Sequence, residues 1–131
     1  MGFFTKADPI AKLKAEAEAK PKDTKILLDL AGQLKAKGAV SEACHYYILA
    51  AEALNAQGFA SKGTAIIRQV TQMMPKSIAA HERLASALDE VKAKEDLRTV
   101  LKTLVSLYRG EGRMDDASTA QAKIDALGPG R

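Results

Sequence analysis

The chain has 131 residues, 47% of them apolar and 27% charged, which is enough for a single domain with a substantial core. Aromatic residues make up only 5% and Trp is absent, while Ala, Leu and Lys abound, so a β-rich fold is disfavoured and a helical one favoured. The formal charge of +4 is spread along the chain, the single Cys44 permits no internal disulfide, and no apolar run reaches the length of a membrane helix.

The opening residues Met1, Gly2, Phe3, Phe4, Thr5 and Lys6 lack the apolar centre of a secretion signal, and Lys6 stands where a myristoylation site needs Ser or Thr. A cytoplasmic location is expected, with residues 1–7 a flexible lead in which Phe3 and Phe4 either fold back or dock elsewhere. The first helix is expected over residues 8–20, with Asp8 as its N-cap, Pro9 at its first helical position and Pro21 as its stop. A second is expected from Thr24 to Lys37, capped by Asp23 or Thr24, with Leu27, Leu30, Ala31 and Leu34 on one face and Gly38 beyond its end. A third starts near Ser41, its expected cap, and runs to Ala56. The fourth covers Ala60 to Met74 and stops at Pro75.

The order then recurs. Ser77 or Lys76 opens a fifth helix to Val91, a sixth runs from Glu95 to Arg109, and a seventh from Met114 to Leu127. Pro21, Pro75 and Pro129 stand 54 residues apart, and residues shifted by that interval keep their packing roles: Leu30 meets Leu84, Ala31 meets Ala85, Leu34 meets Leu88, and Gly58 meets Gly112. Short loops make consecutive helices antiparallel. The chain thus divides into a capping helix (8–21), a first unit (22–75) and a second unit (76–129).

Leu27, Leu30, Ala31, Leu34, Gly38, Ala43, Tyr47 and Ala50 fill, in order, the bulky, small and turn positions of a motif that resembles a tetratricopeptide repeat. A second register reads Tyr47, Ala50, Ala51, Leu54, Gly58, Gly63, Ile67, Val70 and Pro75. Two more follow from His81 and Leu101, so that the third and sixth helices serve two motifs each. The match departs from the family at Lys92, which replaces the turn Gly, at Leu97, which replaces a small Ala, and at Gln121, which replaces an aromatic. The resemblance implies an all-α fold, a right-handed tetratricopeptide-like solenoid of about seven antiparallel helices.

No constellation for chemistry emerges. Cys44, His45 and His81 lack the spacing of metal ligands, and His81 falls at a packing position. Gly58, Gly63, Gly110 and Gly112 read as helix stops and form no phosphate cradle. Neither an enzyme nor a cofactor is expected. The resemblance implies a protein or peptide partner held by an adaptor, with groove-facing residues Lys25, Leu28, Asp29 and Lys35 in the first motif and Glu82, Arg83 and Asp89 in the third. The Lys/Asn arrangement with which some relatives clamp a terminal carboxylate is missing. Residues 39–75 carry only four charges, so Tyr46, Ile48, Leu49, Phe59 and Ile66 are candidates for a partner surface or for a homo-oligomer contact. Two alternatives stand beside the adaptor: a self-associating structural component, and a nucleic-acid or anionic-membrane binder working through Lys6, Lys12, Lys14, Lys20, Lys22 and Lys25. Glu16, Glu18 and Asp23 interrupt that lysine run, so nucleic acid is disfavoured.

Overall fold

Asp8 starts the first helix as the spacing predicts: its carboxylate accepts from the Ile10 N–H at 3.0 Å, and Pro9 occupies the first turn, where no N–H is needed. The computed structural model describes residues 8–130; Phe3, Phe4 and Lys6, and with them the expected flexible lead, lie outside the described residues. Seven helices follow in order: α1 Pro9–Ala19, α2 Thr24–Ala36, α3 Val40–Ala56, α4 Ala60–Met73, α5 Ile78–Glu90, α6 Lys94–Gly110 and α7 Met114–Ala126. No strand occurs among the described residues. The all-α class is as expected.

The 54-residue interval reappears in the elements, since α5, α6 and α7 begin 54 residues after α2, α3 and α4. Two kinds of connector produce it. Before α2 and α5 the chain passes a proline and then a side-chain cap: Asp23 accepts from Ile26 N–H at 3.2 Å, and Ser77 from Ala80 N–H at 3.1 Å. Asp23 and Ser77 are therefore the caps, not Thr24 or Lys76. The remaining four connectors are three residues long and share one hydrogen-bond pattern. In the first, Gly38 N–H donates to Lys35 O and Ala39 N–H to Leu34 O, the paired closure of a Schellman turn. Phe59 N–H to Leu54 O, Ala93 N–H to Leu88 O and Arg113 N–H to Tyr108 O repeat it.

That turn corrects the expected start of α3. Ser41 is not its cap, because the Schellman closure delivers the chain straight into helix at Val40, and α3 begins with no side-chain cap. The turn also explains the departure at residue 92. Its central residue must be left-handed, and Lys92 adopts φ 58° there, where the other three turns have Gly38, Gly58 and Gly112 at positive φ.

The chain divides into two compact units, one ending at Ile66 and the other starting at Ile67, with the boundary inside α4. In the first, α2 packs on both α1 and α3, and its Leu27, Leu30, Ala31 and Leu34 are buried, as their common face predicts. Across from them α3 buries Ala43, Cys44, Tyr47, Ala50 and Ala51. Gly63 corrects another expectation: it does not stop a helix but lies within α4, where a Cβ would come 2.9 Å from the Ala51 carbonyl oxygen on α3. Its missing side chain lets the two backbones approach, the role of a small residue in this motif.

In the second unit α6 packs on α5 and on α7. Leu84 and Leu88 of α5 are buried, as are Leu97, Leu101, Leu104 and Tyr108 of α6 and Ala117, Ala120 and Ile124 of α7. Leu97, a departure from the small residue of the motif, is accommodated in this core at 7% exposure. His81 is buried at the packing position read for it, with its ring Nδ1 2.8 Å from the Ser77 carbonyl oxygen.

Candidate protein-interaction surface

Helical spacing brings three rows of side chains together in the second unit. On α5 the row is Glu82, Ala85, Ser86 and Asp89; on α6 it is Leu97, Leu101, Leu104 and Tyr108; on α7 it runs from Asp116 through Thr119, Ala120 and Lys123 to Leu127. Each row recurs every three or four residues, so each presents one face of its helix. They line a trough of about 640 Å³ with an apolar floor from α6 and polar rims from α5 and α7.

One end of the trough is tied by a polar cluster. The Tyr108 hydroxyl donates to the Glu82 carboxylate, joining α6 to α5. Arg113, in the turn before α7, donates from Nε to Asp116 at 2.8 Å, lies 4.0 Å from Glu82, and stacks 4.8 Å from the Tyr108 ring centroid. Burial, followed by the hydrogen bond to Glu82, pushes the Tyr108 phenol up to about 12. At the other end Asp89 is exposed and makes no ion pair among the described residues.

The first unit carries a smaller cleft of about 290 Å³ between α1 and α2, lined by Glu16, Ala19, Lys20, Lys25, Ile26 and Asp29. Nearby, Lys14 pairs with Glu42 at 2.6 Å, and that hydrogen bond raises its ammonium above the ordinary lysine value.

The expected binding residues fall into distinct groups. Lys25 and Asp29 meet in the small cleft, while Leu28 is half-buried and Lys35 exposed, neither lining it. Glu82 and Asp89 both line the trough, whereas Arg83, exposed on α5, does not. Tyr46, Ile48, Leu49 and Ile66 are half-buried, and Phe59 is 50% exposed with the Lys62 ammonium 5.3 Å from its ring centroid. Leu101, Leu104 and Tyr108 appear in the sequence only as packing positions, and Thr119 and Lys123 carry no signal there. Their common face on the trough depends on how α5, α6 and α7 are arranged.

Cys44 is buried in α3, and burial pushes its thiol up, towards the unreactive neutral form. Among the described residues no group of three or more His, Cys, Asp or Glu side chains is placed to hold a metal, and no helix is long and apolar enough to cross a membrane.

No protein-family model matches the chain, and no curated protein does. Solved structures to which it is similar include MamA, at 14% identity over 90% of this chain and 80% of that one with a TM-score of 0.44. A thermophilic TPR protein of Thermus thermophilus shares 16% identity over 92% of this chain and 81% of its own, with a TM-score of 0.38. PilF of Pseudomonas aeruginosa shares 10% over 92% and 68%, with a TM-score of 0.39. The chain's own repeat has helix pairs closed by a common turn, small residues at helix contacts, and a proline at each 54-residue interval. The repeat is tetratricopeptide-like.

Proposed function

We propose that the chain is a non-enzymatic, cytoplasmic interaction module that holds a protein or peptide partner in the trough between α5 and α7. The observation that carries this reading is the trough's makeup, half-buried Ala85 and Leu127 and exposed Ala126 over the buried Leu97, Leu101 and Leu104, between polar rims. Apolar surface rimmed by polar groups is how protein-binding sites are commonly built. The first-unit cleft is less than half the size and is walled mainly by charged residues, which makes it the poorer anchor.

Random-peptide display on the purified chain tests the reading. Ser86→Trp and Thr119→Trp fill the trough from exposed rim positions and serve as controls. Enriched peptides should lose binding to both variants while circular dichroism and Tm stay unchanged. Failure to enrich any peptide, or peptides that bind the variants as well as the parent, would remove the trough from consideration.

A further inference from the structure

α1, α4 and α7 hold the same place in successive 54-residue cycles. Leu13 falls on Ile67 and then on Gln121, Lys14 on Arg68 and Ala122, and Ala17 on Thr71 and Asp125. In the first two cases one ion pair joins the helix to the middle helix of the cycle that follows. Lys14 of α1 meets Glu42 of α3 at 2.6 Å, and Arg68 of α4 meets Asp96 of α6 at 3.3 Å, both partners displaced by the same interval. A half-exposed pair of this kind contributes little energy. Its recurrence in one register instead marks a seat, the place where a helix docks on the helix pair after it.

Two side chains four residues apart fill the seat beside that cation, on one face of the helix. On α1, which packs on α2, they are the half-buried Leu13 and the buried Ala17. On α4 they are Ile67 and Thr71, both buried. The Thr71 hydroxyl donates to the Arg68 carbonyl oxygen of its own helix, so it needs no partner across the contact.

α7 has none of these features. Gln121, Ala122 and Asp125 are all exposed, and Gln121 Nε2 donates to Asp125 Oδ1 at 3.2 Å, so the two polar side chains pair with each other in water. A helix pair of the α2–α3 kind brought to this face would set its acid, the counterpart of Glu42 and Asp96, beside Asp125 with no cation between them. Like charges brought together and a carboxylate stripped of water both oppose docking. We infer that α7 presents a closed face, built so that a second copy of this chain does not add end to end through it.

The test moves the α7 residues into α1 of the full chain. Leu13→Gln, Lys14→Ala and Ala17→Asp together give α1 the closed pattern, whereas Leu13→Ile, Lys14→Arg and Ala17→Thr give it the α4 pattern. Hydrogen exchange read by mass spectrometry should show the α1 amides exchanging about tenfold or more faster in the first variant, with the α3 amides unchanged. In the second variant they should stay within about threefold of the parent. Helix propensity does not predict this difference, since the second triplet, with Ile and Thr, is no better a helix former than the first. Sedimentation velocity gives an independent reading: the parent and Gln121→Lys, which plants a charge at the centre of the α7 face, should show the same mass distribution.

α1 amides that stay protected with the α7 residues, or that both triplets release equally, would overturn the inference. So would self-association of the parent that Gln121→Lys removes. Self-association that Gln121→Lys leaves intact would run through another surface, as a closed α7 face requires.

Discussion

Gly63 shows how a single missing side chain sets helix packing. A Cβ there would run into the Asn55 Oδ1 and come 2.9 Å from the Ala51 carbonyl oxygen. The Asn55 side chain can rotate away, but the Ala51 carbonyl belongs to the α3 backbone and cannot. Gly63→Ala should therefore cost about 1–3 kcal/mol despite alanine's better helix propensity, read as a lower urea midpoint. An unchanged or raised midpoint would mean that α3 and α4 are not held at this distance. Tyr108 gives a pH-dependent counterpart. Its folded pKa, pushed up to about 12, exceeds the ordinary value of 10, so the folded state holds this proton more tightly than the unfolded chain does. The stabilisation is complete below pH 10 and is lost as the pH climbs through 12. Unfolding free energies at pH 9 and pH 11.5 should differ more in the parent than in Tyr108→Phe, and matching pH profiles would exclude Tyr108 as the titrating group.

The helices were largely legible because their limits are local. Asp8 with Pro9, Asp23 after Pro21 and Ser77 after Pro75 are caps and stops that act within a few residues, and they lie where the sequence places them. Ser41 misled because a plausible cap carries no weight where the preceding Schellman turn already aims the chain into helix. Lys92 was visible as a departure from the repeat, but that it takes the left-handed conformation follows only from the turn that encloses it. A left-handed residue with a Cβ costs roughly 1–2 kcal/mol, and glycine returns part of that gain through the greater freedom of its unfolded chain. Lys92 is exposed, so removing its side chain sacrifices no packing. Lys92→Gly should stabilise the protein by about 0.5–1 kcal/mol, with Tm raised by a few degrees, whereas Lys92→Ala should bring no such gain. Glycine and alanine variants of equal stability would show that φ at residue 92 is not the source of the cost.

Across the whole chain, the 54-residue interval was legible because equivalent residues do equivalent work, and each three-helix set repeats the same starts and turns. The trough was not, since it joins Asp89, Leu101 and Lys123 from three helices, and no spacing along one helix announces such a meeting. Nor does the sequence mark the boundary between the two compact units, which falls inside the continuous helix α4 at Ile66 and Ile67. The repeat makes a quantitative demand that can be checked. Leu30 on α2 and Leu84 on α5 occupy the same place in successive cycles, at 0% and 3% exposure. Each Leu→Ala change removes the same buried atoms, and the loss should be about 2–5 kcal/mol at either site. At two equivalent positions their surroundings differ: α3 contributes Ala43 and Ala50 to the first unit's core where α6 contributes Leu97 and Leu104 to the second. Long side chains can lean into a void, while alanines have nothing to move. Leu30→Ala should therefore sit towards the upper part of that range and Leu84→Ala towards the lower, measured by urea denaturation. A larger cost at Leu84 would show that the leucines of α6 are as fixed as the alanines of α3, and that side-chain size at the helix contact does not govern how the repeat tolerates a cavity.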